Sequence, residues 1–203
     1  MTKYNLNADD YYTQRNNRIR PSAACMPTAR VMYYRGNEIP YDNPSDLSDD
    51  DYLMWTLNSK EAKAYAKSKY KWACKGNKLL YPPNEIHGMY NSYLDERVVG
   101  HRSGDFLLGL SADDFINILT AGYVIMTSGS FKGIPGHALC LIGFDGKEFH
   151  LADPWGNWRT GYKDVCGYGT TMGKSEFVDH IKPTGLAAKW AHLPYTAVKE
   201  IKK

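Results

Sequence analysis

Gly136-His137-Ala138-Leu139-Cys140-Leu141-Ile142-Gly143-Phe144, then Asp145-Gly146-Lys147, then Glu148-Phe149-His150-Leu151-Ala152 and Asp153-Pro154-Trp155-Gly156 form the stretch on which the fold turns. An apolar run from His137 to Phe144, the turn pair Asp145-Gly146 and a returning run from Glu148 to Ala152 predict a β-hairpin. A hairpin centred between 145 and 146 pairs positions whose numbers sum to about 291, which sets His137 opposite residue 154 and brings Asp153 beside it. A carboxylate there can accept an imidazole N–H, fix the tautomer and stabilise the charged ring. The plainer readings are that Asp153 opens a turn ahead of Pro154 and that His137 is a hydrogen-bonded structural histidine.

Working outward, Tyr123 to Thr127 is a further short apolar strand, and Lys189 to Leu193 reads as a closing strand. Ser111-Ala112-Asp113-Asp114 carries the signature of a helix start, with Phe115, Ile116, Ile118 and Leu119 as its apolar face and Gly122 beyond its end. Lys174 to Ile181 predicts a short late helix. Upstream, helices are expected over Ser22 to Tyr34, Asn58 to Trp72 and Pro83 to Tyr93, separated by an acidic loop from Tyr41 to Asp51. Gly167-Tyr168-Gly169 reads as loop. A helical first half followed by a sheet-rich second half predicts an α+β fold, one domain over 1–203, with the helices packed on an antiparallel sheet.

The chain has 203 residues with 43% hydrophobic and 23% charged side chains, which suits a single soluble core. Its net charge of +3 is spread without any Lys/Arg block, so a nucleic-acid partner is not expected. No apolar run approaches the roughly 20 residues of a membrane span. Met1 to Asp10 is polar and lacks a signal-peptide core, so cytoplasmic synthesis is expected, with any action outside the cell requiring release by another route. A monomer is expected. The oxygen-bearing residues Asp42, Asn43, Asp46, Asp49, Asp50 and Asp51 lack the spacing of a calcium loop and read as a solvated loop or helix cap. Four cysteines, at 25, 74, 140 and 166, form no Cys-x-x-Cys pair and no zinc-site spacing, so no metal or cofactor is expected.

Cys25 follows Pro21-Ser22-Ala23-Ala24 at a predicted helix start, where the partial positive charge of the helix stabilises a thiolate. Alternatively it is a buried small hydrophobe. Gln14 is a side-chain candidate, beside the Cys25 backbone N–H, for donating to an oxyanion, or it is a surface glutamine. Trp155, Trp158 and Tyr162 follow Asp153 and are candidates for covering Cys25, His137 and Asp153 and excluding water, and for lining an aromatic groove that binds an extended substrate; the alternative is that they simply pack.

Gln14, Cys25-Met26-Pro27-Thr28, Gly136-His137-Ala138 and Asp153-Pro154-Trp155-Gly156, in that chain order, resemble the papain-like cysteine peptidases. The resemblance is to the branch holding bacteriocin-leader (double-glycine) peptidases and their stand-alone bacterial and phage relatives, and it spans about residues 12 to 156. It implies a papain-like fold and amide hydrolysis through an acyl-enzyme, with Cys25, His137, Asp153 and Gln14 as catalytic residues. Met26 stands where the family usually has glycine. The implied substrate is a peptide, and for a stand-alone enzyme the peptide cross-links of peptidoglycan, as in an endolysin. Two alternatives stay open: acyl transfer on the same residues, as in transglutaminases and arylamine acetyltransferases, and an inactive relative that binds peptides.

Overall fold

The run that begins at His137 is apolar at nearly every position because both faces of its sheet are covered. In the computed structural model, which describes residues 4–69, 74–75, 78–79, 90–131, 134–181 and 190–201, three short 3-10 turns lead into helix α1 (Cys25–Gly36), followed by α2 (Asp49–Asn58) and α3 (Lys60–Lys69). A two-residue ribbon, β1 (Cys74–Lys75) with β2 (Lys78–Leu79), and a π-helical turn (Asp95–Val99) precede β3 (Gly104–Leu108). Then come α4 (Ala112–Thr120), β4 (Ile125–Phe131), β5 (Ile134–Phe144), β6 (Glu148–Ala152), β7 (Tyr168–Gly173), α5 (Lys174–His180), β8 (Trp190–Pro194) and α6 (Tyr195–Ile201). The fold is α+β: a six-stranded antiparallel sheet of order β3-β8-β4-β5-β6-β7.

Successive side chains of a strand point to opposite faces. Along β5, Ala138, Cys140 and Ile142 pack with Ala29, Met32 and Tyr33 of α1, while Leu139 and Leu141 pack with Phe115, Leu119 and Phe177 of α4 and α5. A continuous apolar run is what a strand buried on both faces requires. The helices are therefore not all on one side: α1 covers one face, and the late helices α4 and α5 cover the other.

Several elements depart from expectation for local reasons. The hairpin closes with Phe144 opposite Phe149, so its loop is longer than a two-residue turn; Asp145 Oδ1 accepts from the N–H groups of Lys147 (2.9 Å) and Glu148 (2.7 Å) and stabilises it. A register shift follows between Leu141 and Gly143. The acidic stretch is not a solvated loop at its end: Asp49 opens α2, and Asp50 and Asp51 are each 1% exposed. Asn17 Nδ2 donates to Asp50 (3.1 Å) and the Arg18 N–H to Asp51 (2.6 Å), so this helix start anchors the segment leading to Cys25. Tyr168 and Gly169, read as loop, begin β7 as an edge strand against β6. At the predicted cap, Ser111 Oγ accepts from the Asp114 N–H and Asp114 Oδ2 from the Ser111 N–H. Most of the helix expected over 83–93 lies outside the described residues.

Beneath α1 lies a buried ion pair. Arg30, with no exposed surface, donates to Asp95 and, at 2.9 Å, to Ser103 Oγ, and its guanidinium lies 4.5 Å and 4.8 Å from the ring centres of Tyr33 and Tyr34. Asp95 also accepts from Tyr34 OH (2.8 Å) and from the N–H and hydroxyl of Ser103. This network fixes α1 against the π-helical turn and the start of β3. Removing one partner strands a buried charge, so Asp95→Ala is expected to destabilise the fold by about 3–5 kcal/mol. Urea unfolding of the variant checks this, and a loss under about 1 kcal/mol would contradict it.

Candidate active site

Cys25 is the first residue of α1 and is partly exposed. Its helix start differs from those of α2 and α4, which carry aspartates in their first turns: α1 has no acidic residue there and no side chain capping it. Its N–H groups and the positive end of its dipole are left for an anion at Cys25. Met26 turns into the α1 core, 7% exposed, so the bulk that replaces glycine is used in packing while Cys25 keeps its partial exposure.

His137 lies near the start of β5, opposite Gly129 of β4, and is 3% exposed. Gly129 has no room for a side chain, since a Cβ there would stand 2.7 Å from the Phe131 ring. His137 Nε2 donates to Asp153 Oδ1 at 2.5 Å. The contact forms, but not from a paired position. Ladder pairing ends at Ala152, and Asp153 reaches the imidazole from the turn that follows. In that turn Asp153 Oδ1 also accepts from the Trp155 N–H at 2.8 Å. Asp153 is fully buried.

These contacts set the electrostatics. Burial alone would raise the Cys25 pKa, and it is the largest influence on the thiol. His137, by hydrogen bond and by charge, together with the backbone N–H groups of Ala138 and Met26, outweighs it and brings the thiol below its ordinary value. For His137, burial opposes the charged ring, but Asp153, by charge and hydrogen bond, and then Cys25, raise its pKa to about 10. A lowered thiol pKa beside a raised imidazole pKa favours the thiolate and imidazolium forms of the pair, the form in which a cysteine attacks a carbonyl. Cys140 offers no such chemistry: it is buried, its Sγ donates to Ala29 O (3.1 Å), and burial pushes its pKa far up.

The remaining sequence candidates are placed as follows. Gln14 is 2% exposed, not a surface residue, in a 3-10 turn packed against the one that leads into Cys25. Its Nε2 donates to Pro21 O at 2.7 Å, which commits one amide hydrogen and leaves the second. Trp155, Trp158 and Tyr162 have different neighbours. Arg15 covers Trp155, with its guanidinium 4.6 Å from a ring centre. Trp158 packs on His180 (4.9 Å) and Phe131 (6.0 Å). Tyr162, 9% exposed, has its ring 6.4 Å from that of His137 and its hydroxyl 3.5 Å from Asp153 Oδ2, so its neighbours are the site's own residues. Among the described residues no group of three or more His, Cys, Asp or Glu could hold a metal ion, and no helix is long and apolar enough to cross a membrane.

Sequence reasoning missed the segment just before Gln14 and the arginine after it. Tyr11 OH donates to Asp153 O (2.8 Å) and accepts from the Gly167 N–H (2.9 Å). Thr13 Oγ1 and the Gln14 N–H both donate to Pro154 O, at 3.1 and 3.0 Å. Arg15 reaches the carbonyls of Trp155 and Tyr162. Only the nearness of these residues to Gln14 in the chain pointed to them.

In comparisons with known proteins, the model of the Peptidase C39-like family matches residues 8–177, which takes in every residue of the constellation. No curated protein and no solved structure matches.

Alkylation of Cys25 by iodoacetamide is expected to be half-maximal at a pH below that of a free cysteine, whose pKa is about 8.5. His137→Ala should move that midpoint upward, because burial is then opposed only by backbone N–H groups. Rates against pH, with the labelled residue mapped by mass spectrometry, check both. Labelling of Cys166 ahead of Cys25 near pH 6 would contradict the assignment.

Proposed function

Because the chain belongs to the Peptidase C39-like family, we propose that it is a cysteine peptidase in which Cys25 is the nucleophile, His137 the general base and acid, and Asp153 the group that orients His137. The observation that carries the reading is one imidazole engaged on both sides: its Nε2 on Asp153 at 2.5 Å, and the ring coupled to the thiol at the uncapped start of α1. The thiolate attacks the scissile carbonyl carbon and the carbonyl becomes an oxyanion. The Cys25 N–H and the second amide hydrogen of Gln14 are its donors in this reading, each of a kind that contributes about 3 kcal/mol. His137 passes its proton to the leaving amine, the C–N bond breaks, and a thioester remains. His137 then takes a proton from water, the hydroxide attacks the thioester, and the carboxylic acid and the thiolate–imidazolium pair are restored.

The substrate we propose is the peptide portion of peptidoglycan. Membership of the Peptidase C39-like family supports a peptide substrate, and the net charge of +3 favours approach to an anionic envelope. Trp155 and Trp158, each partly exposed, are the aromatic surfaces proposed to contact this substrate.

Cys25→Ala is expected to abolish turnover with the fold intact. In the wild type, kcat/KM should rise with pH through the lowered thiol pKa and fall near the His137 value of about 10, where the ring loses the proton it must give the leaving amine. Incubation with isolated peptidoglycan, and separately with an unfolded protein, tests the substrate. New amino termini from peptidoglycan alone support the proposal. Release from unfolded protein alone makes the chain a general peptidase and removes the wall substrate. An active Cys25→Ala variant removes the mechanism.

A further inference from the structure

We propose that Arg15 is a positioning residue for the Cys25–His137–Asp153 constellation, acting as a clamp that ties the turn holding Asp153 to the backbone of Tyr162. The inference rests on the catalytic reading above and adds to it a residue in contact with none of the reacting atoms. Arg15 Nε donates to Trp155 O at 2.6 Å and Nη2 donates to Tyr162 O at 2.8 Å. The guanidinium also lies over the Trp155 ring. Among the described residues it has no carboxylate within 4.0 Å, so these carbonyls and the ring are what its charge serves. A planar fork can reach two carbonyls seven positions apart in the chain while stacking on an indole; a lysine ammonium cannot do all three.

What the clamp holds is in a conformation that needs holding. Tyr162 has φ of +66°, in the left-handed region that a residue with a side chain seldom adopts, directly after Gly161 at φ +66°. Such a residue persists where its surroundings over-determine it, and these residues gather at functional sites. Here the Tyr162 N–H donates to Asn157 O at 3.0 Å and its carbonyl takes the Arg15 fork. The result is a buried phenol with its hydroxyl toward Asp153 Oδ2, while Oδ1 serves His137 and the Trp155 N–H. The carboxylate is thus fixed from both oxygens, and Arg15 touches the backbone behind each side. The titratable groups around it are His137, Tyr162 and Tyr11, with Cys25 beyond His137 and Cys166 near Tyr11.

The test uses the pH dependence of Cys25 alkylation, which reads the thiolate–imidazolium pair without any substrate. Arg15→Met keeps a stem of similar shape and removes every donor; Arg15→Lys keeps the charge. The expected result is a folded Arg15→Met protein whose alkylation midpoint lies about one pH unit higher, which is about tenfold slower reaction below both midpoints. Arg15→Lys should fall between, and Arg18→Met, at an exposed arginine, should match wild type. A merely structural arginine would lower thermal stability and leave the midpoint in place, and that result in folded Arg15→Met overturns the clamp. If Arg15→Met does not fold, Arg15→Lys decides by the same criterion. A wild-type midpoint at or above that of free cysteine overturns the catalytic reading itself, whereas a low wild-type midpoint unmoved in the Arg15 variants overturns the clamp alone.

Discussion

A carboxylate with no solvent exposure sits one residue beyond the end of β6, and much of the surrounding architecture answers its need for partners. An ionised group taken out of water must recover its solvation from fixed dipoles and charges, or it takes up a proton. Asp153 recovers it from the His137 ring, the Trp155 N–H and the Tyr162 hydroxyl. Close packing behind the carboxylate is made possible by glycine: a Cβ at Gly167 would stand 2.2 Å from Asp153 O, and one at Gly156 would stand 2.5 Å from Asp164 O. The charge on His137 depends on this carboxylate, and the lowered thiol pKa of Cys25 depends on His137.

The same solution recurs elsewhere with a structural outcome. Asp95 and Arg30 neutralise each other under α1, and Ser103 and Tyr34 satisfy the oxygens that remain. Asp49 accepts from Tyr12, Tyr41, Arg35 and Asn43, and its neighbours Asp50 and Asp51 accept from the Asn17 side chain and the Arg18 N–H. Buried acids therefore fix the body of α1 and the approach to its first residue. A helix start that must leave its own N–H groups uncapped at Cys25 gains its rigidity from these neighbours instead.

The parts of this arrangement that sequence disclosed were those with a local signature. The period and turn chemistry of 137–152 announced the hairpin, Ser111 and Asp114 announced their helix, and the Pro21–Ala24 lead-in placed Cys25 at a helix start. The pairing argument reached the right neighbour for His137 from a register that the loop at 145–148 and the shift near Gly143 alter; the contact survives because Asp153 lies in a turn and is not bound to the ladder. What could not be read were relations across long intervals. Nothing local distinguishes Arg15 from Arg18 or Arg20, yet only Arg15 meets Trp155 and Tyr162. Nor does an aspartate run disclose whether water or a buried asparagine will receive it, and α2 was missed for that reason. Tyr162 was a candidate by residue type alone, for covering the site or lining a groove; the left-handed backbone that turns it toward Asp153 has no signature in its neighbours.

Residues 5 to 11 act as a strap across β5, the end of α4 and the turns beside β6 and β7. Asn5 donates through its backbone to Ile142 O and through its side chain to Leu119 O and Tyr123 O, and Tyr11 bridges Asp153 and Gly167. Cys25 and His137 are likewise drawn from opposite halves. On a ribosome, which releases the chain from its amino end, Cys25 and the strap emerge long before any surface exists to receive them. Such distant pairings also make folding slow, because the closure of large loops precedes the contacts that stabilise them. The constellation is therefore assembled late, after β6 and the start of β7 have left the tunnel, and a nascent or prematurely terminated chain carries the thiol without the means to activate it.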